Sequence, residues 1–254
     1  MSEDRAARAQ RITGYFELQL RLARRMSEIT GAPLGAMALR HTNLHRRLGL
    51  GVWREGPPAE GWAPYAAMLE TLSDLRAQVA GTVEAYRWAP DEVLPHPGQF
   101  GFGCFAYEPR NADGIVRIHF NNRDTDAEGG PLSHAKVGRR REELTRLFAH
   151  VAKASPPDTV IRGGSWLYHV EAYRRLFPPA YGASRAPYTR PIALRGTATW
   201  GQVIDSRERV RPDIRDTVQA NLARLDPEAP WRAFPLQMLA VEAPLSEFLT
   251  FYGL

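Results

Sequence analysis

The stretch from Gly98 to His169 reads as strand, turn, strand, long basic helix and strand, and it limits what the rest of the chain can build around it. Phe100, Phe102, Cys104 and Ala106 alternate with Gly101, Gly103, Phe105 and Tyr107, which predicts one strand covered on both faces. Asn111-Ala112-Asp113-Gly114 follows as a turn, Asp-Gly tolerating positive φ. In Ile115–Phe120, Val116, Ile118 and Phe120 face one way, and Arg117 and His119 the other. After a polar loop, Pro131 opens a predicted helix with Leu144, Leu147, Phe148 and Val151 on one face. Pro156-Pro157 ends it, and Thr159-Val160-Ile161 starts a third strand that runs into Gly163-Gly164-Ser165-Trp166-Leu167-Tyr168. A strand–helix–strand unit of this length makes a parallel crossover.

Upstream, the spacing of Tyr15, Leu18, Leu22, Met26 and Ile29 predicts an amphipathic helix over residues 6–30, ended by Gly31 and Pro33. A shorter helix covers Leu34–Leu39 and extends toward Arg47, and a third covers Pro64–Trp88. The break Asp91–Gly98, with Pro95 and Pro97, divides a helical region, 1–97, from a mixed α/β region, 98–254. Downstream, Glu171–Phe177 reads as a helix, Pro191–Leu194 as a strand, and Thr199–Asp205 as a segment that extends or follows it. A helix from Arg211 to about Leu225, a strand Leu236–Val241 and a terminal helical turn Leu245–Tyr252 complete the reading. The fold class expected is α/β: a helical layer followed by a mixed sheet with flanking helices.

The net charge of +5 and the pI of about 9.6 raise the question of nucleic acid. The excess is almost wholly arginine, Lys136 and Lys153 being the only lysines, and abundant Ala, Gly and Pro accompany it. That is the signature of a GC-rich coding sequence, so no specific nucleic-acid partner is expected. No apolar run is long enough to span a bilayer, and the N-terminus is charged, so no membrane partner is expected. Cys104 is the only cysteine, which excludes an internal disulfide and a cysteine-built zinc site. A cytoplasmic bacterial protein is the simplest reading.

Five groups of residues carry candidate chemistry. His119 ends the central strand and precedes Asn121, Asn122, Arg123 and Asp124, where strand ends commonly present ligand sites; its imidazole suits a general base. Lys136, Arg139, Arg140 and Arg141 crowd the start of the long helix, where they clamp a phosphate or are neutralised by Glu142, Glu143 and the preceding Asp residues. Gly163-Gly164-Ser165-Trp166-Leu167 has part of a nucleophile elbow, but Leu167 stands where the second glycine belongs. His41 and His45 lie one helical turn apart, without a third metal ligand, so no metal is expected. Trp200, Gln202 and Asp205 offer an aromatic wall with polar contacts, or a tryptophan closing the core.

Val116–Phe120, Gly130-Pro131-Leu132, Ser165-Trp166-Leu167-Tyr168 and Leu176-Phe177-Pro178, in this order of elements, resemble the C-terminal part of bacterial two-part proteins. Those proteins join a helical N-terminal region to a GNAT-like acyltransferase domain. The resemblance implies acyl transfer from a CoA thioester, as co-substrate, to a small amine or hydroxyl. It further implies His119 as the base and Lys136, Gly138, Arg139, Arg140 and Arg141 around the CoA phosphates. Asn121, Arg123, Ser165, Trp166, Tyr168, Trp200 and Gln202 are the expected substrate contacts. The family's pyrophosphate loop reads Arg/Gln-x-x-Gly-x-Gly/Ala, whereas Lys136–Arg141 has the single glycine Gly138 and relies on side-chain charge. The alternatives are a non-catalytic binder of an anionic metabolite and a structural or partner-binding protein.

Overall fold

The computed structural model describes residues 3–51, 53, 55–90, 95, 96 and 98–254. Most of the Asp91–Gly98 break therefore lies outside the described residues. In chain order come the helices α1 (Glu3–Arg11), α2 (Thr13–Thr30), α3 (Leu34–His41), α4 (Leu44–Arg47), α5 (Trp62–Thr71) and α6 (Leu75–Trp88). Strands β1 (Phe100–Phe102), β2 (Phe105–Glu108) and β3 (Ile115–Phe120) follow, then α7 (Val137–Ala154) and β4 (Val160–Ser165). After α8 (Glu171–Arg174), α9 (Pro179–Ala183) and β5 (Ala186–Pro187) come α10 (Thr197–Trp200) and α11 (Pro212–Leu222). Strand β6 (Leu239–Pro244) and α12 (Leu245–Tyr252) end the chain.

The chain folds as two compact units, Met1–Glu92 with Thr189–Gln237, and Val93–Tyr188 with Met238–Leu254. The boundary near residue 97 is thus joined by a second exchange, because Thr189–Gln237 belongs with the helical region and not with the sheet. The stretches Pro191–Leu194 and Thr199–Asp205 are correspondingly not strands. The first is a 3-10 turn, Pro191–Arg195, opened by Pro191, and the second holds α10 and the turn Gly201–Val203.

In the helical unit, α2 is the central element, burying Tyr15, Phe16, Leu18, Leu22 and Met26 on an almost continuous surface. Trp200 is wholly buried here; its ring meets Tyr15 and Phe234 edge-on, and its Nε1 donates to His41 O at 3.2 Å. The predicted helix Pro64–Trp88 is divided at Leu72–Asp74, where Asp74 accepts from Ala77 N and caps α6. A polar knot fixes the loop before α11. Glu208, at φ 60°, pairs with Arg8 and, at 3.3 Å, with Arg47. Left-handed backbone is costly for glutamate, so these contacts hold the residue there.

The sheet unit has strand order β1-β2-β3-β4-β6-β5, in which β3 and β4 alone run parallel. It is a mixed α/β architecture with helices flanking the sheet. The predicted strand Phe100–Tyr107 is instead a hairpin. Phe102 faces Phe105, and Gly103 takes the turn at φ 63°. The predicted turn Asn111–Gly114 joins β2 to β3, with Gly114 at φ 79°. The long helix begins at Val137, after a 3-10 turn His134–Lys136, and not at Pro131. Leu144, Leu147, Phe148 and Val151 are buried on α7, with α12 packed beside them through Phe148 and Phe248. Under β4 three tyrosines cluster: Tyr168 and Tyr181 share a hydrogen bond of 2.9 Å, and the Tyr173 ring lies against Tyr168. Burial holds all three phenols well above their ordinary range.

Gly163 leaves the space these hydroxyls occupy, since a Cβ there would overlap those of Tyr168 and Tyr181. Gly163→Ala is expected to cost about 1–3 kcal/mol of stability in chemical denaturation, with partial recovery when Tyr168→Phe is added. Glu208 supplies a pH signature. Burial alone would raise its pKa, but Arg8 and Arg47 prevail and hold it below the usual carboxylate value. A depressed carboxylate stabilises the fold above its unfolded pKa and loses that contribution as pH falls through its folded pKa. The stability gap between the wild type and Glu208→Gln should therefore be open at pH 7 and close below about pH 4.

Candidate functional site

Strands β3 and β4 pair over three residues only: Ile115 with Val160, Val116 with Ile161, and Arg117 with Arg162. Both strands then continue, but apart. Ile118, His119 and Phe120 stay paired to Tyr107, Ala106 and Phe105 of β2. Gly163, Gly164 and Ser165 stay paired to Val241, Ala240 and Leu239 of β6. The carboxyl halves of the two parallel strands thus form a wedge whose inner backbone edges lack the ladder a regular parallel pair would supply.

His119 lies on the β3 side of this wedge, 36% exposed in its side chain, with Nε2 3.0 Å from Glu108 Oε1. The two groups approach closely without the geometry of a hydrogen bond. Arg117 shares its sheet face, as the alternation predicts, and Ala106 is its cross-strand neighbour. Glu108 is reached diagonally, two residues along β2 from Ala106. Asn121 is buried just beyond the strand, its N–H donating to Cys104 O at 2.7 Å, while Arg123 is exposed.

The cations at the start of α7 are met by carboxylates. Lys136, 3% exposed, donates to Asp124 O and Gly129 O at 2.9 and 3.1 Å and pairs with Asp124 and Asp126. Arg140, 1% exposed, reaches Asp124 Oδ2 at 2.7 Å, Glu143 Oε1 at 2.8 Å and the Cys104 sulfur. Glu143 Oε2 in turn accepts from Cys104 N at 3.0 Å. Arg139 is 65% exposed and 3.2 Å from Asp124, and Arg141 is exposed with its guanidinium over the Phe251 ring. Burial pushes Asp124 up, but Lys136, Arg140 and Arg139 outweigh it and hold the carboxyl below its ordinary range. Lys136 and Arg140 are therefore occupied in fixing the 121–136 loop, and the solvent-facing part of the turn is Gly138, Arg139 and Arg141. A Cβ at Gly138 would meet nothing within 4 Å.

The other expected contacts separate into two groups. Ser165 is in the wedge, but its Oγ accepts from Leu167 N at 3.1 Å and starts the turn Trp166–His169. Trp166 is half-buried beside it, and Tyr168 is 1% exposed in the tyrosine cluster, so it is a core residue. Trp200 and Gln202 belong to the helical unit and are wholly buried. The Gln202 amide joins Thr199 O and Leu236, and Asp205 ties its own loop through Arg207 N and Arg209 N. His45 bonds Gly51 O and Ala59 N, and no group of metal-holding side chains occurs among the described residues. Glu143 and the Asp residues of the preceding loop are the neutralising partners that the sequence offers for the basic turn, whereas Glu108 escaped selection, although the Asn111–Gly114 turn sets the register that places it near His119.

No family model, curated protein or solved structure matches this chain.

Arg140→Met should cost about 3–5 kcal/mol, because Glu143 would be left buried without its cation. Arg139→Ala, at an exposed pair, should change stability by about 0–1 kcal/mol. Cys104 is buried, and burial raises its thiol pKa more than Arg140 lowers it. Thiol reagents should label the native protein slowly and the unfolded protein at once.

Proposed function

We propose that the sheet unit is a GNAT-like acyltransferase, moving an acyl group from a CoA thioester to a small amine or hydroxyl. The observation that carries this reading is the wedge between β3 and β4, with α7 following β3 after the 121–136 loop. Unpaired strand edges suit the amide-bearing arm of an extended co-substrate, which can complete the interrupted ladder. The first turn of α7 suits its phosphates through the helix dipole, with Arg139 and Arg141 at the solvent side. His119 would take the proton from the acceptor as its nitrogen or oxygen attacks the thioester carbonyl, and the CoA thiolate would leave. A general binder of anions is less well supported, because the two buried cations, Lys136 and Arg140, are already met by Asp124, Asp126 and Glu143. No described helix is long and apolar enough to cross a membrane, and a cytoplasmic setting would supply the thioester.

Calorimetric titration with CoA, acetyl-CoA and inorganic phosphate tests the reading. The wild type should bind both CoA species more tightly than inorganic phosphate. Gly138→Asp puts a carboxylate into open space at a helix start, where it favours the helix and repels phosphate. It should keep or raise thermal stability while weakening CoA binding by at least about tenfold, one charge-assisted contact's worth. His119→Gln should retain binding and lose turnover of the thioester in a free-thiol assay. Unchanged CoA affinity in Gly138→Asp would remove the phosphates from α7.

A further inference from the structure

We propose that Arg40, Arg195 and His41, beside the indole of Trp53, form a binding site for a phosphate group. The site lies wholly in the helical unit and does not rest on the acyl-transfer reading. Helix α3, whose last turn carries Arg40 and His41, packs on the 3-10 turn that ends in Arg195. The Arg195 guanidinium lies 4.2 Å from the centroid of the Trp53 ring, so its plane is held by a surface with no charge of its own. Arg40 is exposed and has no hydrogen-bond or ion-pair partner among the described residues. His41 is 7% exposed, and its Nδ1 has no hydrogen-bond partner among the described residues. Its backbone is fixed on the other side, where His41 O accepts from Trp200 Nε1.

Three groups able to donate to an anion are thus gathered in one place, and Glu55 is the carboxylate that acts on Arg195 from nearby. On Arg195 the Glu55 carboxylate outweighs the repulsion from Arg40, whereas on His41 both arginines act as like charges. Burial lowers His41 to about 4, and the positive charges of Arg40 and Arg195 add to the effect. Neutral at pH 7, His41 has an Nδ1 free to donate in one tautomer. An oxyanion between the two arginines would reverse the repulsion on His41, and it would give the buried Nδ1 the partner that a buried ring nitrogen ordinarily finds within the protein. Guanidinium forks match phosphate oxygens two at a time, and a phosphate has enough oxygens for both arginines and the imidazole together. A carboxylate does not, which selects phosphate over the smaller anion.

The test is titration of the full chain with inorganic phosphate, glycerol phosphate and acetate at constant ionic strength, followed by calorimetry and by the His41 imidazole resonances. Saturable binding of phosphate and glycerol phosphate is expected, with little response to acetate, and the His41 resonances should move with occupancy. Arg40→Gln, at an exposed position, should keep the fold and weaken phosphate binding by more than about tenfold. Arg195→Gln should do the same and also change the fluorescence of Trp53. Gly138→Asp, which addresses the sheet unit, should leave phosphate binding here untouched, so failure of one site is distinguishable from failure of the other. Equal responses to phosphate and acetate, or wild-type phosphate affinity in folded Arg40→Gln, would overturn the proposal.

Discussion

The buried guanidinium of Arg140 is the contact on which the sheet unit most depends. It joins three pieces of chain that no strand ladder connects: the hairpin turn at Cys104, the loop at Asp124 and the first turns of α7 at Glu143. A buried cation carries a large desolvation cost, and only a full set of close partners offsets it. Gly103 belongs to the same arrangement. Its positive φ turns the hairpin, and its missing Cβ leaves room for the Glu143 carboxylate to reach Cys104 N. The 121–136 loop is then held by Lys136, whose amine ties two carbonyls and two carboxylates. By this sequence of constraints the start of α7 is set relative to the end of β3.

That arrangement also separates holding from binding among residues of one chemical type. Lys136 and Arg140 differ from Arg139 and Arg141 by a fraction of a helical turn, yet the first two are buried and the others reach solvent. Their different roles follow from the side of the helix each occupies. In the helical unit the contrast recurs. Arg8 and Arg47 enclose Glu208, while Arg40 acts on Arg195 as a like charge, with Glu55 the carboxylate that acts on Arg195. Arginine excess in the composition therefore says little about binding until each guanidinium is traced to its neighbours.

Local periodicity made much of the fold legible. Val116, Ile118 and Phe120 fixed the buried face of β3, and Leu144, Leu147, Phe148 and Val151 that of α7. The hairpin at Gly103 was hidden because Phe100–Tyr107 keeps its alternation straight through the turn. Pro191–Leu194 is too short for a period to separate a strand from a 3-10 turn, and Pro191 at its start was the better signal. Which unit Thr189–Gln237 joins is set by long-range packing around Tyr15 and Trp200, and no local pattern encodes it. At the candidate site, His119 and the basic turn stood out by residue type. The divergence of β3 from β4 did not, because it is a property of pairing and leaves no mark in either strand's composition.

The strand order carries a kinetic consequence. Strand β6 lies between β4 and β5, yet 51 residues, Tyr188–Met238, separate β5 from β6 in the sequence, and most of them belong to the other unit. Until Leu239–Pro244 is in place, β4 has an open edge and β5 has no sheet to join. Contacts of such wide sequence separation carry a large loop-closure cost and form slowly. The sheet unit therefore closes last beside β4, and the half-formed species presents Gly163-Gly164-Ser165 as an exposed strand edge open to pairing with other chains.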